Sequence, residues 1–277
     1  MTTQTASPKL PAVQAATTGD YLRQFAVIVV TLLTLTVNGM ANALPINGIQ
    51  TGDISDKFPV LFTPAGYVFA IWGVIYLGML AYTIFQALPA QRMNPRMRRI
   101  GWLYVISGLA NSLWIFLWHY FLVGWSVLVM LVLLVSLILI YARLWPTRYQ
   151  VSRGEWWTTN LAFSIYLGWI TVATVANETV FLYQAGWNAF GIAPELWTVI
   201  MLVVATGLGL FFGLRLFDVA YVLVLIWSFV GIWVKQSAAP TPTVAWAALG
   251  LSVTLAAAAV VALMQNRRMR LAAQQAA

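Results

Sequence analysis

Eight times along its length the chain runs apolar for about the 20 residues that a helix needs to cross a bilayer. Such runs leave few alternatives, because in lipid each segment must satisfy its own backbone N–H and C=O groups. Charged residues make up 8% of the chain, against roughly 25% in a soluble domain. The spans expected are 25–44, 66–88 and 100–123, then a fourth from a tight turn at Gly124-Trp125 to Tyr141. The remaining four are 157–176, 196–214, 217–234 and 244–264. The fold class is therefore an all-α polytopic membrane protein.

Charge placement orients the spans. The net charge of +8 would suit a nucleic-acid surface, but Lys and Arg also collect on the cytoplasmic loops of membrane proteins. Of 15 such residues, only Lys57 and Lys235 fall on the side opposite the N-terminus; the arginines at 92–99, 143–153, 215 and 267–270 all fall with it. The expectation is eight spans with both termini cytoplasmic and no nucleic-acid partner. Residues 1–22 read as a disordered cytoplasmic tail. Arg23, the first apolar run and Ala41-Asn42-Ala43 imitate a cleaved secretory signal, but the run is long for one, and a retained helix is favoured.

The residues available for chemistry are few. Without cysteine, and with His119 as the one histidine, thiolate or multi-histidine metal sites are excluded. No paired carboxylates and no histidine beside a nucleophile suggest an enzyme. Apart from His119, towards the end of the third span, no ionisable group is expected deep in a span, which weakens ion-coupled transport. His119 reads as an interfacial hydrogen-bonding residue, and Lys235 as an interfacial lysine rather than a Schiff-base site.

What the spans carry instead is tryptophan and asparagine. In Thr63–Met79, Val68, Trp72, Tyr76 and Met79 share one helical face. In the third span Asn111, Trp114 and Trp118 do the same, and in the fifth Trp169, Ala173 and Asn177. Each face could be ordinary helix packing, since small residues and amides hold membrane helices together. Together they could also line one aromatic pocket with a few amides, suited to a flat apolar ligand.

The pattern Pro64…Tyr67-Val68-Phe69…Trp72…Tyr76 resembles the second-helix signature of the translocator protein / tryptophan-rich sensory protein (TspO/MBR) family. Asn111-Ser112-Leu113-Trp114 is similar to that family's third-helix motif, and Trp169 to Asn177 to its fifth-helix motif. The resemblance covers about residues 25–180. It implies a five-helix bundle, domain 23–180, with the loop 45–63 as a lid over a pocket for tetrapyrroles, sterol-like molecules or other apolar ligands. Residues 181–277 then form a loop and a three-helix transmembrane extension with a basic tail. Two departures stand out: Tyr67 replaces the family's usual tryptophan, and the Phe69-to-Trp72 spacing is one residue short. The latter rotates the two rings by about 100° in an α-helix, so Phe69 is not carried over.

The reading is an integral protein of a bacterial inner membrane that binds an apolar planar ligand for sensing, handling or transport. The pocket residues expected are Tyr67, Trp72, Tyr76, Asn111, Trp114, Trp118, Trp169, Ala173 and Asn177, with no metal. No cofactor is required, and a tetrapyrrole is the implied ligand. Membrane lipid is a further partner, and a homodimer is compatible with the pattern. The alternative is a small-solute permease without buried ionisable coupling residues, using the last three spans as part of its path.

Overall fold

The computed structural model describes residues 15–44, 46–239 and 242–275. Its eight long helices are apolar enough to cross a membrane: α1 Thr18–Ala43, α2 Gly66–Ala87, α3 Pro95–His119, α4 Val123–Thr147, α5 Arg153–Gln184, α6 Pro194–Arg215, α7 Val219–Gln236 and α8 Thr243–Met269. Among the described residues there is no strand. Leu77, Ile84, Leu128 and Val260 point outward and exposed, as expected where the surrounding medium is hydrocarbon.

Local chemistry sets the helix starts. The Asp20 carboxylate accepts from the Thr17 N–H at 3.0 Å and its hydroxyl at 2.9 Å, closing a capping box. α1 therefore begins at Thr18, so residues 18–22 belong to it rather than to the expected tail; residues 1–14 of that tail lie outside the described residues. Asn94 caps α3 through the Arg96 N–H at 2.9 Å, with Pro95 at the first helical position. Asp218 caps α7 through the Tyr221 N–H at 3.2 Å.

Two boundaries differ from expectation. The turn between α3 and α4 is not at Gly124-Trp125, which are helical, but at Tyr120–Leu122. There Phe121 takes the left-handed conformation (φ 58°) and the Leu122 N–H bonds the Leu117 carbonyl at 2.9 Å. That reach across the helix end satisfies carbonyls the helix would otherwise leave open. α5 continues to Gln184, so Asn177-Glu178 does not open a loop. The Asn177 amide finds partners on α3 and α4, and the helix has no need to end there.

α1, α2, α3, α4 and α5 pack around one core, and α7 joins it by lying against α5 and the first turn of α2. Gly231 makes that approach possible: its missing side chain is where Val68 packs, and its carbonyl accepts from the Ala65 N–H at 3.1 Å. α8 packs on α7 and α6. One end of the bundle is basic, fastened by Asp20–Arg98 at 2.6 Å and Arg96–Glu155 at 2.5 Å. The other end carries the segment between α1 and α2, which holds a short helix, Thr51–Asp56.

Candidate functional site

Below that segment lies a cavity of about 40 Å³. Five aromatic rings surround it, Phe69, Trp72, Trp114, Trp118 and Trp169, with Ala173 and Asn177 from α5. The sequence brought the four tryptophans together by pairing faces. They do meet here: the rings of Trp72 and Trp169 sit edge to face at 6.1 Å, and Trp114 stacks on Trp118 at 5.8 Å.

Phe69 lines the same cavity, edge to face with Trp169 at 5.7 Å. The apparent one-residue shift has a geometric answer. Gly66–Ala70 is a 3₁₀ turn, with three residues per turn, so positions i and i+3 eclipse. The tighter turn brings Phe69 into line with Trp72, which an α-helix over the whole stretch would not. The sequence signal that could have revealed it is Pro64-Ala65-Gly66 immediately before.

Tyr67 is not in the cavity. It is 45% exposed and stands edge to face with Trp227 of α7 at 5.4 Å. Tyr76 stacks on Trp72 at 5.7 Å and faces a second space of about 330 Å³ between α1 and α2. Phe69 and Trp72 line both spaces and form the wall between them. Asn111 lines neither.

Asn111 instead belongs to a buried polar chain crossing four helices. The Tyr76 hydroxyl donates to Asn38 Oδ1 at 2.9 Å, Asn38 Nδ2 to Asn111 Oδ1 at 2.7 Å, and Asn111 Nδ2 to the Tyr166 hydroxyl at 3.0 Å. Asn177 is paired in a similar way. Its Oδ1 accepts from Trp114 Nε1 at 2.9 Å, and its Nδ2 donates to Ser126 Oγ at 3.0 Å. One cavity group stands apart: Trp169 Nε1 is buried and has no hydrogen-bond partner. An unsatisfied buried donor costs about 1–3 kcal/mol, so a ligand acceptor would have a ready counterpart there.

The roof is fastened on two sides. His119 of α3 is fully buried; its Nδ1 meets the Ile46 carbonyl at 2.9 Å and its Nε2 the Thr51 hydroxyl at 2.9 Å. A carbonyl can only accept, so Nδ1 donates to Ile46, and Nε2 pairs with the Thr51 hydroxyl. Trp118 Nε1 adds a bond to the Thr51 carbonyl at 3.3 Å. On the other margin Lys235 of α7 pairs with Asp56 at 2.5 Å and donates to Thr63 at 3.0 Å, and Gln236 donates to the Leu61 carbonyl at 3.1 Å. Lys235 is thus an ion-paired clasp. Charge and position in the sequence gave no sign of its partner, 179 residues away.

Among the described residues no cluster of His, Cys, Asp or Glu could hold a metal ion. A family model described as TSPO-like protein matches residues 24–261. The match runs from α1 into α8, well past the residues that carry the motif resemblance. No curated protein and no solved structure matches the chain.

Proposed function

The chain belongs to the TSPO-like protein family, and from that premise we propose that it binds an apolar planar ligand, of tetrapyrrole or sterol-like kind, between α2, α3 and α5. The observation that carries this reading is one cavity walled by five aromatic rings, with the buried indole N–H of Trp169 left unpaired among them. The rings would stack on the ligand and exclude water, and Trp169 would orient a polar edge. Ala173 leaves room where a larger side chain would fill the space.

A ligand pocket usually measures about 300–1,000 Å³, so a cavity of 40 Å³ is a closed form. Turning Phe69 and Trp72 aside would join it to the 330 Å³ space beside it. Binding therefore involves movement of these two rings, of the lid, or of both. The amides of Asn38, Asn111 and Asn177 already have hydrogen-bond partners and offer a polar permeant few free groups near the cavity, which favours the apolar ligand over a solute path. The positive-inside rule supports placing the basic end on the cytoplasmic side, and the membrane we propose is a bacterial inner membrane.

The test is a porphyrin titration of the full-length protein in detergent, followed by porphyrin absorption and by tryptophan quenching. Saturable binding that weakens in Trp72→Ala and Trp169→Ala is expected. No saturation, or binding unchanged in both variants, would overturn the proposal.

A further inference from the structure

A third cavity, of about 380 Å³, opens at the basic end, remote from the segment between α1 and α2. It lies where the end of α4 and the start of α5 meet the start of α7 and the end of α8. Two arginines line it, Arg148 and Arg267, and among the described residues neither forms an ion pair.

Arg148 is held ready. Its guanidinium lies over the ring of Trp145 at 4.5 Å and that of Tyr149 at 4.3 Å. It donates to the carbonyls of Trp145 at 2.9 Å and Leu216 at 3.2 Å, while its Nε is buried without a partner. Tyr149 donates to Asn266 Oδ1 at 2.6 Å, and Asn266 donates to the Phe217 carbonyl at 2.6 Å, so α8 is tied to the same wall. The cavity's position is fixed by packing rather than by a free loop.

Two irregularities of the backbone line it, the turn at 156–161 and Phe217, and a third ends two residues before Phe217. Trp156–Leu161 and Phe211–Arg215 are π-helical turns, and Phe217 has φ 57°. π-turns and bulky residues in the left-handed region concentrate at functional sites. The one acid lining the cavity, Asp218, is buried, accepts from Ser164 Oγ at 2.6 Å and is pushed above the ordinary carboxylate range by that burial.

We propose that this cavity binds the phosphate headgroup of an acidic membrane lipid, with Arg148 and Arg267 holding the phosphate and the aromatic wall taking the glycerol and upper acyl carbons. A free phosphate would satisfy the arginines equally well. The lipid is favoured because Trp157, Leu223 and Leu263 line the cavity and are also 63%, 52% and 51% exposed. They make an apolar path from the cavity to the lipid-facing surface. Basic pockets between membrane helices are recognised headgroup sites, and a guanidinium fork matches phosphate oxygens in geometry as well as charge.

The test is native mass spectrometry of the full-length protein with matched-chain phosphatidylglycerol and phosphatidylcholine. Preferential retention of phosphatidylglycerol is expected. It should fall about fivefold in Arg267→Gln, the scale of one basic contact to an anionic lipid, and stay unchanged in Arg268→Gln, which does not line the cavity. Arg267 makes no hydrogen bond that the fold depends on, so this variant reports binding even if Arg148→Gln fails to fold. Equal retention of the two lipids, an unchanged preference in Arg267→Gln, or an equal loss in Arg268→Gln would overturn the proposal. Displacement of phosphatidylglycerol by inorganic phosphate at millimolar concentration would assign the site to soluble phosphate and overturn the lipid.

Discussion

The indole N–H of Trp114 donates to Asn177 Oδ1 at 2.9 Å, both residues buried, and so joins α3 to α5 at the wall of the aromatic cavity. Replacing Asn177 with Ala leaves that N–H without its partner, while the Ser126 hydroxyl keeps its bond to the Val123 carbonyl at 2.8 Å. A loss of about 1–3 kcal/mol is expected for a buried donor so orphaned. Thermal unfolding of the detergent-solubilised protein checks it, and an unchanged midpoint would mean that water replaces the amide.

Trp169→Phe keeps a ring in the wall and removes the unpaired donor. Stability should hold or rise, since a buried unsatisfied group disappears with the substitution. Affinity for a ligand with a polar edge should drop by about 1 kcal/mol, or roughly fivefold. Parallel titrations with a porphyrin bearing carboxylates and with one lacking them separate the two effects; equal affinities in wild type and variant would remove Trp169 Nε1 from the ligand's contacts.

His119→Ala removes two side-chain bonds that hold the segment 46–51 to α3. Amide exchange in residues 46–58 should then accelerate by an order of magnitude or more, at about 1 kcal/mol per bond lost. The interior of α3 should not change. Hydrogen-exchange mass spectrometry resolves the two regions, and uniform acceleration across the chain would indicate general destabilisation instead.

A side chain at Gly231 overlaps Val68. Gly231→Ala should cost about 1–3 kcal/mol, as overpacking does, and Val68→Ala made with it should recover part of the loss. A double-mutant cycle measures that coupling. Strictly additive losses would show that the two residues do not act on each other.

Asp218 supplies a pH dependence of unusual sign. Burial, the largest cause, raises its carboxyl above the ordinary range, while the Ser164 hydroxyl and the Tyr221 N–H lower it. Between the unfolded value of about 3.9 and the raised folded one, the native protein keeps a proton that the unfolded chain has released. Stability therefore falls as pH rises through that window. Asp218→Asn keeps a capping oxygen and cannot ionise. Its melting temperature should exceed wild type at neutral pH, with the difference closing towards pH 4; a difference constant with pH would contradict the assignment.

The spans and the convergence of Trp72, Trp114 and Trp169 were legible because helical periodicity sorts residues onto faces before any contact is known. Phe69 was not, because a 3₁₀ first turn changes the angle per residue and leaves the spacing untouched. Asn111 and Asn177 could be named as buried amides, but which partner each would choose depends on neighbours dozens of residues away. Asp218 looked like a turn residue between short spans, and only packing by α4, α5 and α8 removes it from water. The clasp of Lys235 on Asp56 is of the same kind: a contact between distant parts of the chain that no local pattern encodes.

The segment between α1 and α2 is anchored to α3 through His119 and to α7 through Lys235 and Gln236. A strap fixed at both margins behaves differently from a flap hinged at one. A change in the spacing of α3 and α7 would stretch or slacken it over the aromatic chamber beneath. α8, packed on α7, is in this way linked through it to the roof of the cavity.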